Sequence, residues 1–323
     1  MHDGTSVSLH PAAGAQRSPH NRFLGRCLEL DPSEALFERR GFPDTAARER
    51  LEGAGLAFIA GYNTAINIKS SSEVMAALTG RPISERGFFA EGAAMGAAVR
   101  TVCVPWRDVL SPLLTMLTQH YVHLAHVGVG WAVARLPFAS RRLLQRLDPA
   151  LAPLAVDGRG FHDGYFRIGS AKTRRRPPDV WGPIYDQGLG RSLWFSCGAD
   201  PTRIAAAIAR EEARRRDDLW AGVGLACVYA GGAGPAAASE LVQAAGAAAK
   251  WMRQGAAFGL AAHLRAGSLP GEAAAAAERI CSAAPSRVAD IVERSFQAAR
   301  GLQPWAYQHW RRGVAAALAG EQR

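Results

Sequence analysis

Acidic, imidazole and phenol side chains are concentrated in one glycine-rich run of the sequence, between Asp157 and Phe166. Within it, His162 directly precedes Asp163, and Tyr165 follows two positions later. A carboxylate beside an imidazole fixes the ring tautomer and raises its pKa, as general acid–base catalysis requires. We therefore predict that His162 acts with Asp157 and Asp163, and that Tyr165 supplies a second proton donor. The alternative is an ordered turn in which Asp157 accepts hydrogen bonds from backbone N–H groups.

Three histidines recur at intervals of three residues in an apolar segment: His120, His123 and His126. Helix neighbours three apart share a face, so His123 and His126 could join His162 around one metal ion. No local metal motif such as HExxH accompanies them. The alternative is that His120 and His123 are hydrogen-bonded core residues. The sequence leaves the cofactor undetermined, with a metal ion at these three imidazoles as the one candidate.

Two further polar residues stand among small or apolar neighbours. His126 opens a run in which Gly128 and Gly130 leave space beside the imidazole for a substrate. Glu91 stands within an otherwise apolar stretch of a predicted helix. Because a lone buried carboxylate is costly unless it is paired, Glu91 either lies on an exposed stripe or serves as a functional acid or metal ligand. We count both His126 and Glu91 among the catalytic candidates.

A second polar, glycine-rich stretch, which we predict to be a loop, covers 186–191 and precedes an aromatic run. Arg191 would hold a carboxylate or phosphate there, or pair with Asp186. The stretch lacks the GxGxxG spacing of a dinucleotide site, and no nucleotide-cofactor motif is found elsewhere. The residues that we predict to bind the substrate come from this stretch and the other motifs: Trp131, Phe161, Phe166, Gln187, Arg191 and Trp194.

Apolar periodicity and helix-start signals predict a mainly α-helical chain. Three Asp-Pro pairs, at 31–32, 148–149 and 200–201, are typical of an N-cap followed by proline at the first helical position. Short strands are predicted at 165–168 and 191–197. Helices are expected at about 45–66, 88–103, 107–135, 201–230, 238–265, 271–284, 286–300 and 304–319.

The predicted organisation is a flexible tail over 1–25, followed by one compact multi-helix domain over 26–323. Similar Gly/Ala runs suggest two pseudo-repeated halves, about 30–150 and 200–320, joined by the motif-rich segment 151–199. The alternative is that small-residue helix faces resemble one another in any Ala/Gly-rich protein. In either case, glycines at helical spacing let helix axes approach closely. We expect a narrow apolar pocket between such helices.

Composition excludes several classes of function. The net charge of +10 comes almost wholly from arginines scattered along the chain, which does not favour nucleic-acid binding. The segment 109–134 carries no Asp, Glu, Lys or Arg and is long enough to span a bilayer. Because it also carries several histidines and threonines, a buried helix is the better interpretation. No signal peptide is recognised, which predicts a cytoplasmic protein, with peripheral membrane attachment left open.

Taken together, these runs resemble a bacterial family of unknown function encoded in enediyne biosynthetic gene clusters, beside the polyene-forming polyketide synthase. The runs that carry the resemblance lie at 38–42, 89–95, 126–135, 157–166, 186–191 and 222–226, and the resemblance extends over about 30–315. It implies a role in natural-product biosynthesis, alongside other enzymes of the same pathway. It transfers no catalytic residues.

Three functions are consistent with the sequence. The first is an enzyme that cyclises, oxidises or adds to a long apolar unsaturated chain such as a polyketide polyene. It predicts that His126 and His162 converge on one apolar cavity. The second is a non-catalytic protein that binds and shields such a polyene, with His162 held in structural hydrogen bonds. The third is a membrane-associated scaffold built on 109–134.

Overall fold

The computed structural model describes residues 27–67, 70–166, 176–178, 180–302 and 305–320, so the predicted tail over 1–25 lies outside the described residues. Within these ranges the chain forms helices and no strand, in one compact helical domain. The α-helices are α1 (Phe37–Arg40), α2 (Arg48–Asn67), α3 (Ser71–Thr79), α4 (Ile83–Cys103), α5 (Leu110–Leu117), α6 (Val122–Arg135), α7 (Ser140–Leu144), α8 (Leu154–Phe166), α9 (Gly182–Ser196), α10 (Pro201–Ala209), α11 (Ala213–Ala230), α12 (Pro235–Ala245), α13 (Ala249–Ala266), α14 (Gly271–Cys281), α15 (Pro285–Ala299) and α16 (Ala306–Gly320). Short 3-10 helices cover Pro32–Ala35, Pro137–Ala139 and Gly246–Ala248.

Six of these helices form a ring in chain order. Helices α2, α4, α6, α8, α9 and α11 each pack against the next. The ring closes where the Arg50 guanidinium of α2 donates to the carbonyl oxygen of Ala230, at the end of α11, at 2.7 Å. Helix α13 packs on α11 from outside the ring, and α16 packs on α13. The mainly α-helical class predicted from the sequence is confirmed.

Glycines at the helix crossings explain how the ring packs so closely. A methyl group on Gly188 of α9 would overlap the carbonyl oxygen of Asp157 in α8, and one on Gly160 of α8 would overlap that of Tyr185 in α9. Each glycine therefore lets the facing backbone come closer than any side chain would allow. The same Gly-x-Gly arrangement recurs in four ring helices, at 128 and 130, 158 and 160, 188 and 190, and 222 and 224. The division of the chain into two halves remains a prediction.

Several local predictions are wrong. Tyr165 and Phe166 end helix α8, and the remainder of the predicted strand at 165–168 lies outside the described residues. The predicted strand at 191–197 is the second half of α9 and its C-cap. A short apolar run does not distinguish a strand from a helix that is buried on all sides, and α9 is such a helix. The polar stretch 186–191, interpreted as a loop, lies in the same helix.

Three long predicted helices are each divided. The segment 107–135 separates into α5 and α6 around 118–121, and the segment 201–230 separates into α10 and α11 around 210–212. The segment 238–265 separates into α12 and α13 at the 3-10 helix Gly246–Ala248. The N-cap predicted at Asp200 is confirmed, since its carboxylate accepts from the Arg203 N–H at 2.9 Å. The pair at 148–149 begins no helix. Asp148 instead accepts from the Ala150 N–H at 2.8 Å within a turn, and α8 starts later.

No helix in the described part of the chain has the length and apolarity needed to cross a membrane. Helix α6, which holds residues 122–134 of the uncharged segment 109–134, is a member of the ring and is mostly buried. The 109–134 segment is therefore not one membrane-spanning helix, because a turn divides it into α5 and α6, while a membrane-associated scaffold remains a prediction.

Candidate functional site

The helix ring surrounds a cavity with about 680 Å³ of empty space, part of it open to solvent, which we call the aromatic cavity. Every ring helix contributes to its wall, and the 3-10 helix Pro32–Ala35 covers one side. The charged side chains on the wall are Glu34, Glu91 and Arg191. The aromatic side chains on the wall are Phe58, Phe88, Trp131, Phe161, Tyr165, Phe166, Phe195 and Tyr229.

Glu91 is the acid placed most deeply in this apolar wall. It is 3% exposed, and its Oε1 accepts a hydrogen bond from the Trp131 indole N–H at 3.0 Å. The Arg191 guanidinium lies 3.8 Å from its Oε2. Burial raises the pKa of Glu91 to about 7, while Arg191 and the Trp131 hydrogen bond act in the opposite direction. The carboxyl group therefore exchanges a proton near neutral pH, as an efficient general acid or base must.

Arg191 joins Glu91 to a second buried carboxylate. Its Nη1 donates to Oδ1 of Asp157, and its guanidinium carbon lies 5.0 Å from the centre of the Phe161 ring. The Gln187 amide donates to the other Asp157 oxygen at 2.8 Å. Two carboxylates thus share one guanidinium, an arrangement that becomes neutral when Glu91 is protonated. Asp157 is 0% exposed and already accepts from two side chains, so its role here is to hold Arg191 in place.

His162 lies behind the cavity wall. Its Nδ1 is 3.2 Å from Oδ1 of Asp163, and the other Asp163 oxygen accepts from the Tyr185 hydroxyl at 3.0 Å. The imidazole meets the Trp131 ring edge to face, with the ring centres 5.6 Å apart. The predicted His162–Asp163 contact is therefore present. Asp157 is not part of it, because the Asp157 carboxylate is bonded to the α9 side chains.

Tyr165 reaches the aromatic cavity with its ring. Its hydroxyl donates to the Glu34 carbonyl oxygen at 3.3 Å, and burial raises the pKa of the phenol. The ring packs edge to face with Phe42, at 5.3 Å between centres. Tyr165 therefore forms part of the wall while its proton is held by the backbone, and its predicted role as a proton donor remains a prediction.

His126 does not face the aromatic cavity. Its Nδ1 lies 2.7 Å from the Val122 carbonyl oxygen, and its Nε2 accepts from the Asp148 N–H at 3.2 Å. Burial lowers the pKa of this imidazole, so the ring is neutral and both nitrogens are engaged. The prediction that His126 and His162 converge on one cavity is wrong. The space beside Gly128 and Gly130 was predicted to be open to a substrate. It is filled instead by the backbones of the neighbouring helices.

The predicted metal ligands do not meet. Among the residues that the structure describes, no three His, Cys, Asp or Glu side chains are grouped so as to hold a metal ion. His126 is engaged with the backbone, His162 with Asp163, and His123 lies against Trp310 at 5.8 Å between ring centres. The ligand set His123, His126 and His162 is therefore wrong, because the packing of α6 against α8 does not bring these three imidazoles together.

Of the residues predicted to bind the substrate, four lie on the aromatic cavity: Trp131, Phe161, Phe166 and Arg191. Gln187 is completely buried and bonded to Asp157 and Tyr307 rather than facing the cavity. Trp194 packs in the core, where its indole N–H donates to the Gly231 carbonyl oxygen at 2.9 Å. The substrate-contact role assigned to Gln187 and Trp194 is therefore not supported by their positions.

Four aromatic wall residues were not identified from the sequence: Phe58, Phe88, Phe195 and Tyr229. Isolated aromatics in Ala-rich helices have the pattern of ordinary core residues, so no local signal separates them. The repeated Gly-x-Gly pairs offer an indirect signal, since they identify the helices that pack around a common centre. An aromatic residue near such a pair is then a candidate for the inner wall.

Comparison with curated proteins and with solved structures found no match. A family model described as a protein of unknown function, DUF1702, matches residues 22–318. That range contains the whole helix ring and every residue of the candidate site, so the chain belongs to the DUF1702 family.

Proposed function

We propose that this protein binds a long, apolar, unsaturated molecule in the aromatic cavity and that Glu91 transfers a proton to or from it. The observation that carries the proposal is the position of Glu91: its buried carboxyl group, with a pKa raised to about 7, bonds to Trp131 on the wall of an aromatic cavity. In keeping with the resemblance noted above, we place this activity in natural-product biosynthesis, in the cytoplasm and beside other enzymes of the pathway.

The chemistry of the cavity wall supports an apolar, unsaturated ligand. Small-molecule sites are mostly apolar, with a few polar groups that orient the ligand, and this wall combines aromatic side chains with Glu91 and Arg191. Aromatic faces attract the positively polarised edges of conjugated π-systems and also a developing positive charge. The wall supplies such faces from Phe58, Trp131, Phe161 and Tyr229.

Proton transfer by Glu91 needs no other reactant. The protonated carboxyl group gives its proton to one carbon of the unsaturated chain, and the carboxylate takes a proton from another carbon. The double bonds move, or a ring closes, and no atom is gained or lost. Between the two steps Arg191 and the Trp131 N–H stabilise the carboxylate. We therefore propose isomerisation or cyclisation of the chain, in which the enzyme returns to its starting state.

Ligand binding is tested with all-trans-retinol, a neutral fluorescent polyene. Ala226 lies on the cavity wall, so Ala226→Phe should fill the cavity and abolish the rise in retinol fluorescence. Ala316 is exposed on α16, and Ala316→Phe is the matched control that should bind as the wild type does. Saturable binding that survives in Ala226→Phe would contradict the assignment of the site.

The catalytic part is tested separately with Glu91→Gln. This variant should bind retinol but fail to restore the missing metabolite when it complements a deletion of the gene in its source bacterium. Glu85→Gln, on the exposed side of the same helix, is the control. If Glu91→Gln restores production fully, the proton-transfer role is wrong and the second candidate takes its place.

That second candidate is a non-catalytic protein that shields a reactive polyene. The observation that favours it is the engagement of His162 with Asp163, which the shielding hypothesis predicts. It expects Ala226→Phe to lower production and Glu91→Gln to leave it intact. His162→Gln should also leave production intact under this second candidate.

A further inference from the structure

A second cavity, with about 540 Å³ of empty space that includes a part open to solvent, lies on the far side of Arg191 from the aromatic cavity. We call it the histidine cavity, after His123 on its wall. Helices α6, α8, α9, α11, α13 and α16 surround it. Three side chains line both cavities and separate them: Arg191, Leu225 and Tyr229.

His123 is the polar group of this cavity that has no partner. Its ring contacts Trp310, but among the described residues neither ring nitrogen has a hydrogen-bond partner. Burial lowers its pKa to about 3, with contributions from Arg265 and His126, so the imidazole is neutral. A neutral imidazole offers one N–H donor and one acceptor nitrogen. The imidazole is only partly buried, so a molecule in the cavity that bonds to His123 replaces water there and gains a hydrogen bond in a largely apolar surrounding.

The other polar groups on this wall are already engaged. Asp157 accepts from Arg191 and Gln187, and Arg191 is held between Asp157 and Glu91. An anionic ligand would approach the Asp157 charge, while the one cation on this wall, Arg191, is already paired, and a cationic ligand would compete with Arg191. The remaining lining is apolar or aromatic, including Phe258 and Trp310.

We propose that the histidine cavity binds a second, uncharged and largely apolar molecule through one hydroxyl or carbonyl group on His123. This inference does not depend on proton transfer at Glu91 or on the identity of the ligand in the aromatic cavity.

The test uses prodan, a neutral naphthyl ketone whose emission moves to longer wavelength when its carbonyl accepts a hydrogen bond. Binding is measured in Ala226→Phe, in which the aromatic cavity is filled. Prodan should bind saturably there, and adding His123→Phe should weaken binding by about tenfold, the effect of one neutral hydrogen bond, and move the emission to shorter wavelength.

Ala262→Phe provides a second, steric variant, since Ala262 lies on the wall of the histidine cavity. It should abolish prodan binding in the Ala226→Phe background and leave retinol binding intact in the wild-type background. Thermal unfolding confirms that each variant is folded. The proposal is overturned if Ala226→Phe binds no prodan, or if His123→Phe changes neither the affinity nor the emission. Loss of retinol binding in Ala226→Phe has no bearing on that result.

A separate observation concerns the surface. Trp106 and Phe138 are 81% and 79% exposed, the two most exposed large apolar side chains in the described chain. They lie on neighbouring segments, because the Arg142 guanidinium of α7 donates to the Pro105 carbonyl oxygen at 3.5 Å. A second hydrogen bond joins the same two segments, in which the Arg146 guanidinium donates to the Asp108 carboxylate at 3.3 Å.

Basic side chains accompany these aromatics. Arg107 follows Trp106, and Arg141 lies three residues after Phe138; both are exposed and form no ion pair within the described residues. Exposed indole and phenyl rings enter the interfacial region of a bilayer, while adjacent arginines are attracted to anionic lipid headgroups. We infer that the surface formed by Trp106, Arg107, Phe138 and Arg141 binds an anionic membrane surface, from which an apolar ligand can be taken up.

Vesicle co-sedimentation tests this surface. The full chain should sediment with vesicles that contain phosphatidylglycerol and much less with pure phosphatidylcholine, and high salt should release it. Trp106→Ser combined with Phe138→Ser should reduce the bound fraction at least fivefold. Trp305→Ser, an exposed tryptophan at the start of α16, is the control and should have no effect. Equal binding by the double variant, or no binding of the wild type to anionic vesicles, overturns the inference and leaves a protein partner as the occupant.

Discussion

The ionisation of Glu91 makes a quantitative prediction about stability. In the unfolded chain the pKa of this group is 4.5, and in the fold burial raises it to about 7. Between these two pH values the folded state binds more protons than the unfolded state. The free energy of unfolding therefore falls as pH rises through this interval and levels off above pH 7. The stabilisation is fully present below the unfolded pKa and is lost as pH rises through the folded pKa.

The size of this effect follows from the shift. A pKa difference of about 2.5 corresponds to about 3 kcal/mol, since one unit is about 1.4 kcal/mol. Glu91→Gln removes the ionisation while keeping the shape and the acceptor for the Trp131 N–H. Between pH 4.5 and 8, the free energy of unfolding should fall by about 3 kcal/mol less in the variant than in the wild type.

Urea unfolding at a series of pH values measures this difference directly. The readout is the change with pH of the gap between the two proteins, because other groups that titrate are common to both. Glu85→Gln on the same helix removes a half-exposed carboxylate and should follow the wild type at every pH. A gap between wild type and Glu91→Gln that stays constant from pH 5 to 8 would refute the reasoning, and with it the view that Glu91 is a proton-exchanging group.

Three further predictions concern packing and charge. Gly188→Ala should lower the free energy of unfolding by at least about 3 kcal/mol because its methyl group meets backbone; Gly53→Ala, exposed in α2 with open space around it, should raise it by about 0.5–1 kcal/mol. Arg191→Met should cost about 3–5 kcal/mol at pH 8 and less at pH 5, because Glu91 can then become neutral by binding a proton. Equal losses at the two pH values would contradict the coupling. His126→Phe should cost about 1–3 kcal/mol and leave retinol binding unchanged, since the imidazole bonds only to backbone; loss of binding in a folded variant would show that it reaches the ligand.

The sequence predicted the chemistry of individual residues more successfully than it predicted which residues contact one another in the fold. Glu91 was recognised as a carboxyl group in an apolar helix face that must be paired or functional, and Arg191 as an anion-binding guanidinium. Their encounter joins residues of α4 and α9 that are far apart in the chain. No local pattern encodes such a distance, since it depends on how the intervening helices pack.

For the histidines, by contrast, the predicted surroundings of the individual residues were wrong. An imidazole beside glycines suggests open space, but at His126 the glycines are filled by neighbouring helices, and the ring bonds to Val122 and to the Asp148 N–H. His123 was interpreted as a metal ligand or a hydrogen-bonded core residue, and it lies instead on a cavity wall without a hydrogen-bond partner in the described chain. A glycine in the sequence carries the same signal whether the space it leaves is empty or occupied by another backbone.

The sequence by itself determined the helical class, through apolar periodicity and caps such as Asp200, and it determined which side chains can titrate or pair. Only the tertiary structure decided that six glycine-bearing helices close into a ring, that Glu91 faces its interior, and that His126 and His162 do not meet. The physical reason is the range of the interactions. Propensity and capping act over a few neighbouring residues, whereas a cavity and its ion pairs exist only after distant helices have packed, and the contacts between those helices set every distance in the site.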